Sequence, residues 1–394
     1  MRSKLIFALL TGAAASTYAQ GFGQGFGQFQ GQAPGQIPGQ PALAHRIDLP
    51  GDAPVALVAD EWGGSGATIR GSAYQLDVRV SLSLRNASQR RIRGITMTVT
   101  AQEAAPGGKG SISIPSLDVA AGETFPVRGD LHLLRPIGGG SGPLVEVSLD
   151  GLLFDDLTFY GPDKLHSRRS MLVWEMEARR DRQYLRAVLE QSGHDGLQKE
   201  MLSSLAREAD RPQYGVQAVR GRAANSDGEQ DLKFAFLHFP NAPVEPMDGV
   251  ARIAGNEARA PKVVVLNRSP RVVKYLEIGW IVKDQQGREF LAATVPADMR
   301  MPSHSSSQIL DDIALRFDPR TTVQSMTGFV SQVEFTDGGI WIPSHAELDD
   351  PMLRHLVAPS PEEQRLVQIY RKRGVGAVID ELKKFQDKPI PAVQ

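Results

Sequence analysis

The chain has 394 residues, of which 41% are hydrophobic and 23% charged, and it contains no cysteine. Lysine plus arginine (44) nearly balances aspartate plus glutamate (45), so no overall field favours nucleic acid or anionic lipid. The lack of cysteine excludes disulfides, thiol nucleophiles and thiolate metal sites. At about 150 residues per domain, the length predicts two or three domains.

The N-terminus has the pattern of a secretory signal peptide. Arg2 and Lys4 precede an apolar run over 5–15, and Thr17-Tyr18-Ala19 supplies small residues for cleavage. The run is shorter than the roughly 20 residues that a membrane-spanning helix needs, and no later run approaches that length. We therefore expect a signal peptide over 1–19, an exported protein in the periplasm or outside the cell, and no transmembrane segment in the mature chain.

The next segment, 20–45, is rich in glycine, glutamine and proline. Gly-Phe-Gly-Gln repeats begin at Gly21 and Gly25, and Pro-Gly-Gln steps follow at Pro34 and Pro38. Glycine adds backbone freedom and proline lacks a hydrogen-bond donor, so this composition opposes a packed core. The segment is predicted to be a disordered tether, with self-association through its phenylalanines as an alternative.

From residue 54 onward, short runs appear in which apolar and polar residues alternate, as they do in half-buried strands. Val78, Val80, Leu82 and Leu84 alternate with polar residues in the run that leads into the turn Asn86-Ala-Ser-Gln-Arg. The apolar run Val263-Val-Val-Leu leads into a similar turn, Asn267-Arg-Ser-Pro-Arg. The two asparagines are 181 residues apart, and apolar residues occupy the same alternate positions after both turns. The repetition predicts an internal duplication, with one β unit over 54–160 and a second, preceded by an extra strand, over 213–343.

Each predicted unit also approaches its end at an Asp-Gly pair, Asp150-Gly151 and Asp337-Gly338. Asp-Gly favours tight hairpin turns because both residues tolerate positive φ angles. We therefore expect a hairpin at both places.

The segment between the two units is predicted to be helical. Apolar residues recur at helical spacing over 170–209, and Ser192-Gly193 predicts a break between two helices. The run Arg179-Arg-Asp-Arg182 lies within it. Phosphate binding is one interpretation of this run, and a solvated helical face is the favoured one.

The Asn-x-Ser-x-Arg turn, the strand after it and the later turn Ala121-Gly-Glu-Thr124 resemble immunoglobulin-like or fibronectin-III-like modules of exported bacterial proteins, including the FxLYD type. The resemblance implies an antiparallel β-sandwich for each unit. It implies no particular ligand, because a fold does not specify a function. The predicted fold class is mainly β with α: two antiparallel Ig-like β-sandwiches separated by a helical insert over 163–210, with a C-terminal helical pair over 360–386.

The C-terminal helices have clear boundary signals. Ser360 is a good N-cap, Pro361 fits the first helical turn, and Glu363 is placed to close a capping box. Gly374 predicts the end of this helix and the start of a shorter one over 375–385. We expect the pair to pack on the second β unit.

Motifs of the common enzyme classes do not occur in the sequence. It has no Gly-x-Ser-x-Gly nucleophile turn, no phosphate-binding P-loop, no Gly-x-Gly-x-x-Gly fingerprint and no His-Glu-x-x-His pair. No cofactor is implied. The tightest group of acids and histidines follows the second unit, at His345, Glu347, Asp349, Asp350 and His355. Imidazole and carboxylate bind divalent metals, so a metal site is an alternative there to the favoured interpretation, a solvated acidic linker.

Two groups of residues are candidates for binding. Trp62 lies in Glu61-Trp-Gly-Gly-Ser-Gly, a loop context in which an exposed ring binds a sugar or a partner protein. Arg90, Arg91 and Arg93 form a basic run just after the first Asn-x-Ser turn. Nucleic acid is not an expected partner, given the predicted export and the near-neutral charge.

The leading hypothesis is a non-catalytic exported protein that acts as a protein-interaction or scaffold module, with an envelope or extracellular protein as its partner. The first alternative is a glycan- or polymer-binding module that uses Trp62 and neighbouring loops. The second is a metal-dependent hydrolase that uses the acids and histidines of 345–355.

Cleavage after Ala19 should leave a mature chain that begins at Gln20. N-terminal peptide mass spectrometry of protein recovered from the envelope and medium of its host tests this, and replacing Ala19 by arginine should block processing. Recovery of the chain with Met1 in the soluble cytosolic fraction would contradict export.

Overall fold

The computed structural model describes residues 43–103, 106–138, 144–212, 216–220, 229–310, 313–318 and 321–385. The chain divides into two compact units, Met1–Glu175 and Met176–Gln394. The predicted signal peptide and the predicted tether before residue 43 lie outside the described residues. Strands dominate the described secondary structure, which confirms the prediction of a mainly β chain.

Unit 1 contains nine described strands. They are β1 (His45–Asp48), β2 (Val55–Glu61), β3 (Gly66–Arg70), β4 (Ala73–Asn86), β5 (Ile92–Thr100), β6 (Lys109–Ile114), β7 (Thr124–Pro136), β8 (Val145–Phe154) and β9 (Phe159–Tyr160). One sheet has the order β1-β8-β5-β6, with β9 also on β8. In the other, β4 pairs with β2 and β3 in succession and with β7. Only β1 and β8 run parallel; the other pairs are antiparallel.

The two sheets of unit 1 share one hydrophobic core. The predicted alternation on β4 is present, because every second residue from Leu76 to Leu84 is buried. Opposite them, Ile95 and Met97 on β5 and Val147 on β8 belong to the same apolar cluster. Burial of these alternate residues fixes the register, since a shift by one residue would turn every side chain to the wrong face.

Unit 2 contains eleven described strands. They are β10 (Val216–Arg220), β11 (Gln230–Lys233), β12 (Ala235–Phe236), β13 (Val244–Ala254), β14 (Glu257–Asn267), β15 (Val273–Asp284), β16 (Glu289–Met301), β17 (Ser306–Leu310), β18 (Ile313–Phe317), β19 (Val323–Phe335) and β20 (Ile340–Trp341). One sheet follows the order β10-β18-β14-β13-β11, with β17 also on β14, and the other follows β12-β19-β15-β16, with β20 on β19. Here β12 and β19 form the parallel pair, so both units place a short early strand parallel to a long late one.

A buried asparagine closes the turn after β4 in unit 1. Asn86 is 1% exposed, and its Nδ2 donates to the backbone oxygens of Arg90 (2.7 Å), Val119 (3.1 Å) and Ala120 (3.1 Å). Its Oδ1 accepts from the backbone N–H and the hydroxyl of Ser88, at 3.0 and 2.8 Å. One side chain therefore satisfies the turn and also a segment more than thirty residues later.

The same arrangement closes the turn after β14 in unit 2. Asn267 is fully buried, and its Nδ2 donates to the oxygens of Arg271 (2.8 Å), Met301 (3.4 Å) and Pro302 (2.9 Å). Its Oδ1 accepts from the backbone N–H and the hydroxyl of Ser269, at 3.0 and 2.7 Å. The contacts match those of Asn86 one for one.

The arginine of each turn makes matching contacts too. The Arg90 guanidinium lies 3.7 Å from the centre of the Phe154 ring, and that of Arg271 lies 3.8 Å from the centre of the Phe335 ring. A cation over an aromatic face is stabilised by the ring quadrupole. Each arginine also contacts an aspartate that follows this phenylalanine by two positions. The distances are 3.7 Å to Asp156 in unit 1 and 2.9 Å to Asp337 in unit 2.

Of the two hairpins predicted at Asp-Gly pairs, the prediction for unit 1 is wrong. Asp337-Gly338 does lie in the turn between β19 and β20, but Asp150-Gly151 lies inside β8. Asp150 is buried, and its Oδ1 accepts from the backbone N–H of Lys164 at 2.9 Å. The hairpin of unit 1 follows Phe154 instead, where Leu157 has a positive φ.

Three helices complete the described chain: α1 (Ser167–Asp210), α2 (His345–Leu348) and α3 (Pro361–Lys384). Helical geometry is interrupted at Gly193 (φ 66°) and Gly374 (φ 79°), the two predicted breaks. Positive φ favours glycine, which has no Cβ to clash. None of the helices in the described ranges is long and apolar enough to cross a membrane.

The sequence predicts that the C-terminal helices pack on the second β unit, whereas in unit 2 α3 packs on α1. Their shared apolar cluster includes Leu185, Met201, Leu366 and Leu382. The run predicted as a solvated face, Arg179-Arg-Asp-Arg182, is largely buried. Charged groups are buried in this way only when partners offset their desolvation.

Replacing Asn267 by alanine should lower the free energy of unfolding by about 3 kcal/mol, because three backbone oxygens lose their buried donor. Asn86→Ala should have a similar effect. Urea unfolding followed by circular dichroism measures both. Asn241→Ala, at an exposed position, is the control. A loss below about 0.5 kcal/mol in both variants would contradict the structural role of these side chains.

Candidate functional site

Unit 2 contains a polar cavity of about 80 Å³. Its wall is formed by residues 180–208 of α1, by residues 345–360 and by the first turn of α3. One water molecule needs roughly 10–15 Å³, so the cavity has room for several waters or one small solute. Its polar lining consists of Arg180, Asp181, Tyr184, Glu200, Ser204, Arg207, Glu208, His345, Asp349, Arg354, His355, Ser360 and Glu363.

The acids in this wall are held by neighbouring donors. Arg207 contacts Glu200 at 3.3 Å and Glu363 at 3.1 Å, so one guanidinium joins two carboxylates. Ser204 donates its hydroxyl hydrogen to the same Glu363 oxygen. Burial raises the pKa of Glu363, while the Ser204 hydrogen bond opposes that shift. The predicted capping box is therefore only half formed: Ser360 accepts from the Glu363 N–H, and the Glu363 side chain points to α1 instead.

Asp181 lies at the start of the same wall. Its Oδ1 accepts from Arg180 Nε at 2.9 Å, and its Oδ2 accepts from the Ser360 hydroxyl. Arg180 also donates to the backbone oxygen of Pro343 at 3.1 Å. These contacts tie α1 to the segment before α2 and to the N-cap of α3.

A stacked pair of rings covers another part of the wall. The imidazole of His345 lies 3.5 Å from the centre of the Tyr184 ring, with 12° between the ring planes. Burial lowers the pKa of His345, which favours the neutral ring, and the nearby Asp181 carboxylate opposes that shift. Burial also raises the pKa of Tyr184 to about 12, with a further contribution from the Glu200 carboxylate.

The five residues of the predicted metal cluster do not meet at one point. His345, Asp349 and His355 line the cavity, whereas Glu347 closes a capping box with Ser344 at the start of α2. Asp350 accepts from the backbone N–H of Met352 at 2.8 Å. Across the described ranges, no group of three or more histidine or acidic side chains is arranged to hold a metal ion.

Trp62 is half-buried against the core of unit 1. His45 stacks on its ring with 4.0 Å between centres, and its indole N–H donates to Asp60 Oδ2 at 2.8 Å. The same carboxylate oxygen lies 3.0 Å from His45 Nε2. One face of the ring and its only polar atom are thus occupied by the protein itself.

The basic run is paired with acids and rings of unit 1. Arg90 lies over Phe154, as described above. Arg91 and Arg93 both contact Asp118 Oδ1, at 2.9 and 2.8 Å, and the buried Arg93 lies 3.9 Å from Glu175. These contacts give the three arginines a role in holding the turn and the start of α1.

The sequence does not predict that Tyr184, Glu200, Ser204 and Glu363 line one cavity. The helical spacing of Glu200, Ser204 and Arg207 places them on one face of α1, which was visible in the sequence. Ser204 and Arg207 contact Glu363, which lies more than 150 residues later in the chain, and no local sequence pattern indicates that contact. The cavity has room for water or a small solute. Within its wall, Arg180 is paired with Asp181, and Arg207 is paired with Glu200 and Glu363.

Comparison with known proteins adds no family. No protein-family profile and no curated protein matches the sequence. Among solved structures, two similar chains are β-glucosidases from Kluyveromyces marxianus, one of them in complex with glucose. They are 9% and 8% identical, with TM-scores of 0.16 and 0.17. The alignments cover 66% and 69% of this chain but only 45% and 46% of the glucosidases, so the chain spans about half their length.

The carboxyl group of Glu177, near the cavity, should make the stability of the protein depend on pH. Burial raises its pKa to about 7, opposed by Arg180 and reinforced by Asp181. Because the folded pKa exceeds the unfolded value of 4.5, the folded protein binds more protons, and stability falls as pH rises between these values. Glu177→Gln should therefore stabilise the protein at pH 8 by on the order of 2 kcal/mol and should change little at pH 4.

Urea unfolding at the two pH values measures this difference. Glu208→Gln, at an exposed position of the same helix, is the matched control and should leave the pH dependence as in the wild type. An equal effect of Glu177→Gln at both pH values would contradict the assignment.

Proposed function

We propose that the chain is a non-catalytic exported protein that binds another envelope or extracellular protein. In this proposal, each unit is an Ig-like β-sandwich, and the pair arose by internal duplication. The matching contacts of Asn86 and Asn267 support a common origin, and so does the parallel pairing of an early and a late strand in both units. The resemblance to modules of exported bacterial proteins supports the compartment.

The observation that carries protein binding is an exposed aliphatic pair on β2. The pairing of β2 with β4 shifts between Leu57 and Ala59, which leaves Val58 as the extra residue of a β-bulge. Leu57 is 39% exposed and Val58 56% exposed. Bulges redirect side chains at sheet edges, and neighbouring exposed aliphatic residues favour contact with another protein. We assign the partner-binding surface to this bulge.

The contacts of Trp62 and of the residues in 345–355 give less support to glycan binding and to metal-dependent hydrolysis. Glycan binding at Trp62 needs a free ring face, whereas His45 stacks on the indole and Asp60 accepts its N–H. Hydrolysis by a metal at 345–355 needs converging ligands, whereas Glu347 and Asp350 bond backbone groups of their own segment.

Affinity capture of the tagged mature protein from the envelope and medium of its host tests the proposal. A stoichiometric partner should be recovered with the wild type. The double substitution Leu57→Asp/Val58→Asp should reduce its affinity at least about tenfold, since it places charges where the bound partner would cover aliphatic side chains.

Met247→Asp is the matched control, because Met247 is 55% exposed on β13 of the other unit. It should leave capture unchanged. Equal capture by the bulge variant and the wild type would reject the surface. Substrate turnover by the purified protein in a hydrolase screen, abolished by a point substitution, would reject the non-catalytic function.

A further inference from the structure

Strand β3 forms an edge of its sheet. It pairs antiparallel with β4 from Gly66 opposite Asp77 to Arg70 opposite Ala73. No strand in the described ranges pairs with its other side. An open edge exposes backbone donors and acceptors that another strand can bind. The pairing of β4 with β7 determines which residues of β3 direct their backbone N–H and C=O groups to the open edge.

Two residues of β7 show which of its residues direct their backbone N–H and C=O groups away from β4. Pro126, opposite Ser83, has no N–H to donate, so it occupies a position whose nitrogen faces away from β4. Leu134 lies eight residues later and has the same parity; its N–H donates to the oxygen of Gly107 at 2.8 Å. Even-numbered residues of β7 therefore direct their backbone groups away from β4.

The direction of the backbone groups on β4 and then on β3 follows from the pairing of the strands. Gln75 lies opposite Leu134, so its backbone groups point the other way, toward β3. Arg79 has the same parity and confirms the direction: its N–H donates to Ser65 Oγ at 2.9 Å, and its oxygen accepts from that hydroxyl at 3.2 Å. Thr68, opposite Gln75, is therefore bonded to β4, and Ala67 and Ile69 direct their N–H and C=O groups to the open edge.

This edge has few of the features that prevent strands from pairing with other molecules. Its sequence, Gly66-Ala-Thr-Ile-Arg70, contains no proline, no lysine and no bulge. Ile69 is 68% exposed. The edge of β7 carries Pro126 together with outward charged residues, and the edge of β16 carries Pro296 and a register shift. Such features block pairing between edges, and β3 has only Arg70 at its end.

We propose that β3 pairs antiparallel with β3 of a second copy of this chain, around a two-fold axis at Thr68. The outward groups are symmetric about that residue, so Ala67 of each copy exchanges two backbone hydrogen bonds with Ile69 of the other. The edge thus complements itself and closes as a dimer with no open surface of the same kind. The proposal is independent of partner binding at the β2 bulge.

The register makes a specific cross-linking test possible, because the chain has no cysteine. Thr68 would lie directly opposite Thr68 of the second copy in a non-hydrogen-bonded pair, where Cβ atoms are about 4.5–5.5 Å apart, close to disulfide reach. Thr68→Cys should form a disulfide-linked dimer under mild oxidation. Met247→Cys, also at an exposed site, should remain monomeric under the same conditions.

A second substitution separates loss of pairing from loss of folding. Ile69→Pro removes an N–H that points to the open edge and leaves the bonds between β3 and β4 in place. Added to Thr68→Cys, it should abolish cross-linking while the circular dichroism spectrum and the melting temperature stay close to those of Thr68→Cys.

Sedimentation velocity of the wild-type protein provides the equilibrium measurement. A short strand edge buries little area, so we expect a monomer–dimer equilibrium in the micromolar range, weakened at least about tenfold by Ile69→Lys. A wild type that stays monomeric at about 100 µM, or Thr68→Cys cross-linking no faster than Met247→Cys, would overturn the proposal.

Discussion

A buried carboxamide organises the β structure of each unit. Asparagine combines an amide donor and a carbonyl acceptor in one short side chain, so it can satisfy a turn and a distant loop together. In unit 1, Asn86 joins the end of β4 to the turn before β5 and to residues 119–120. In unit 2, Asn267 makes the equivalent set of contacts. Without this side chain, several buried carbonyl groups would lack a donor, which is costly in a closely packed interior.

The sequence was informative where structure depends on neighbouring residues. Alternation over 78–84 indicated the buried face of β4, and Gly193 and Gly374 marked the helix breaks because positive φ favours glycine. The equivalence of Asn86 and Asn267 was visible as a repeated turn. The wrong predictions involve contacts outside the local sequence: the Asp-Gly pair predicts a hairpin at Asp150, yet this residue lies inside β8 and accepts from the N–H of Lys164. The sequence does not predict the cavity either. Its local pattern indicates that Glu363 is a capping residue, whereas the Glu363 side chain accepts from Ser204, a residue distant in the sequence.

Charged groups in the helical part of unit 2 mainly hold its helices together. Arg182 and Glu362 are both fully buried and lie 3.2 Å apart, and Arg365 bonds Glu362 at 2.8 Å. Burial of such pairs is tolerated only with close partners, which explains why the arginine run of α1 is not a solvated surface. The surfaces that we assign to binding lie elsewhere, on successive strands of one sheet in unit 1. There the β2 bulge exposes side chains, and the β3 edge exposes backbone groups.

Hydrogen–deuterium exchange of the Asn86 and Asn267 carboxamides, followed by NMR on amide-labelled protein, tests whether equivalent buried asparagines organise both units. The side-chain N–H₂ groups of Asn86 and Asn267 should exchange as slowly as backbone amides of the cores, because each donates to backbone oxygens within the protein. The exposed carboxamide of Asn241 should exchange rapidly in the same sample. Rapid exchange at either buried asparagine would show that its carboxamide does not hold the β structure of that unit together.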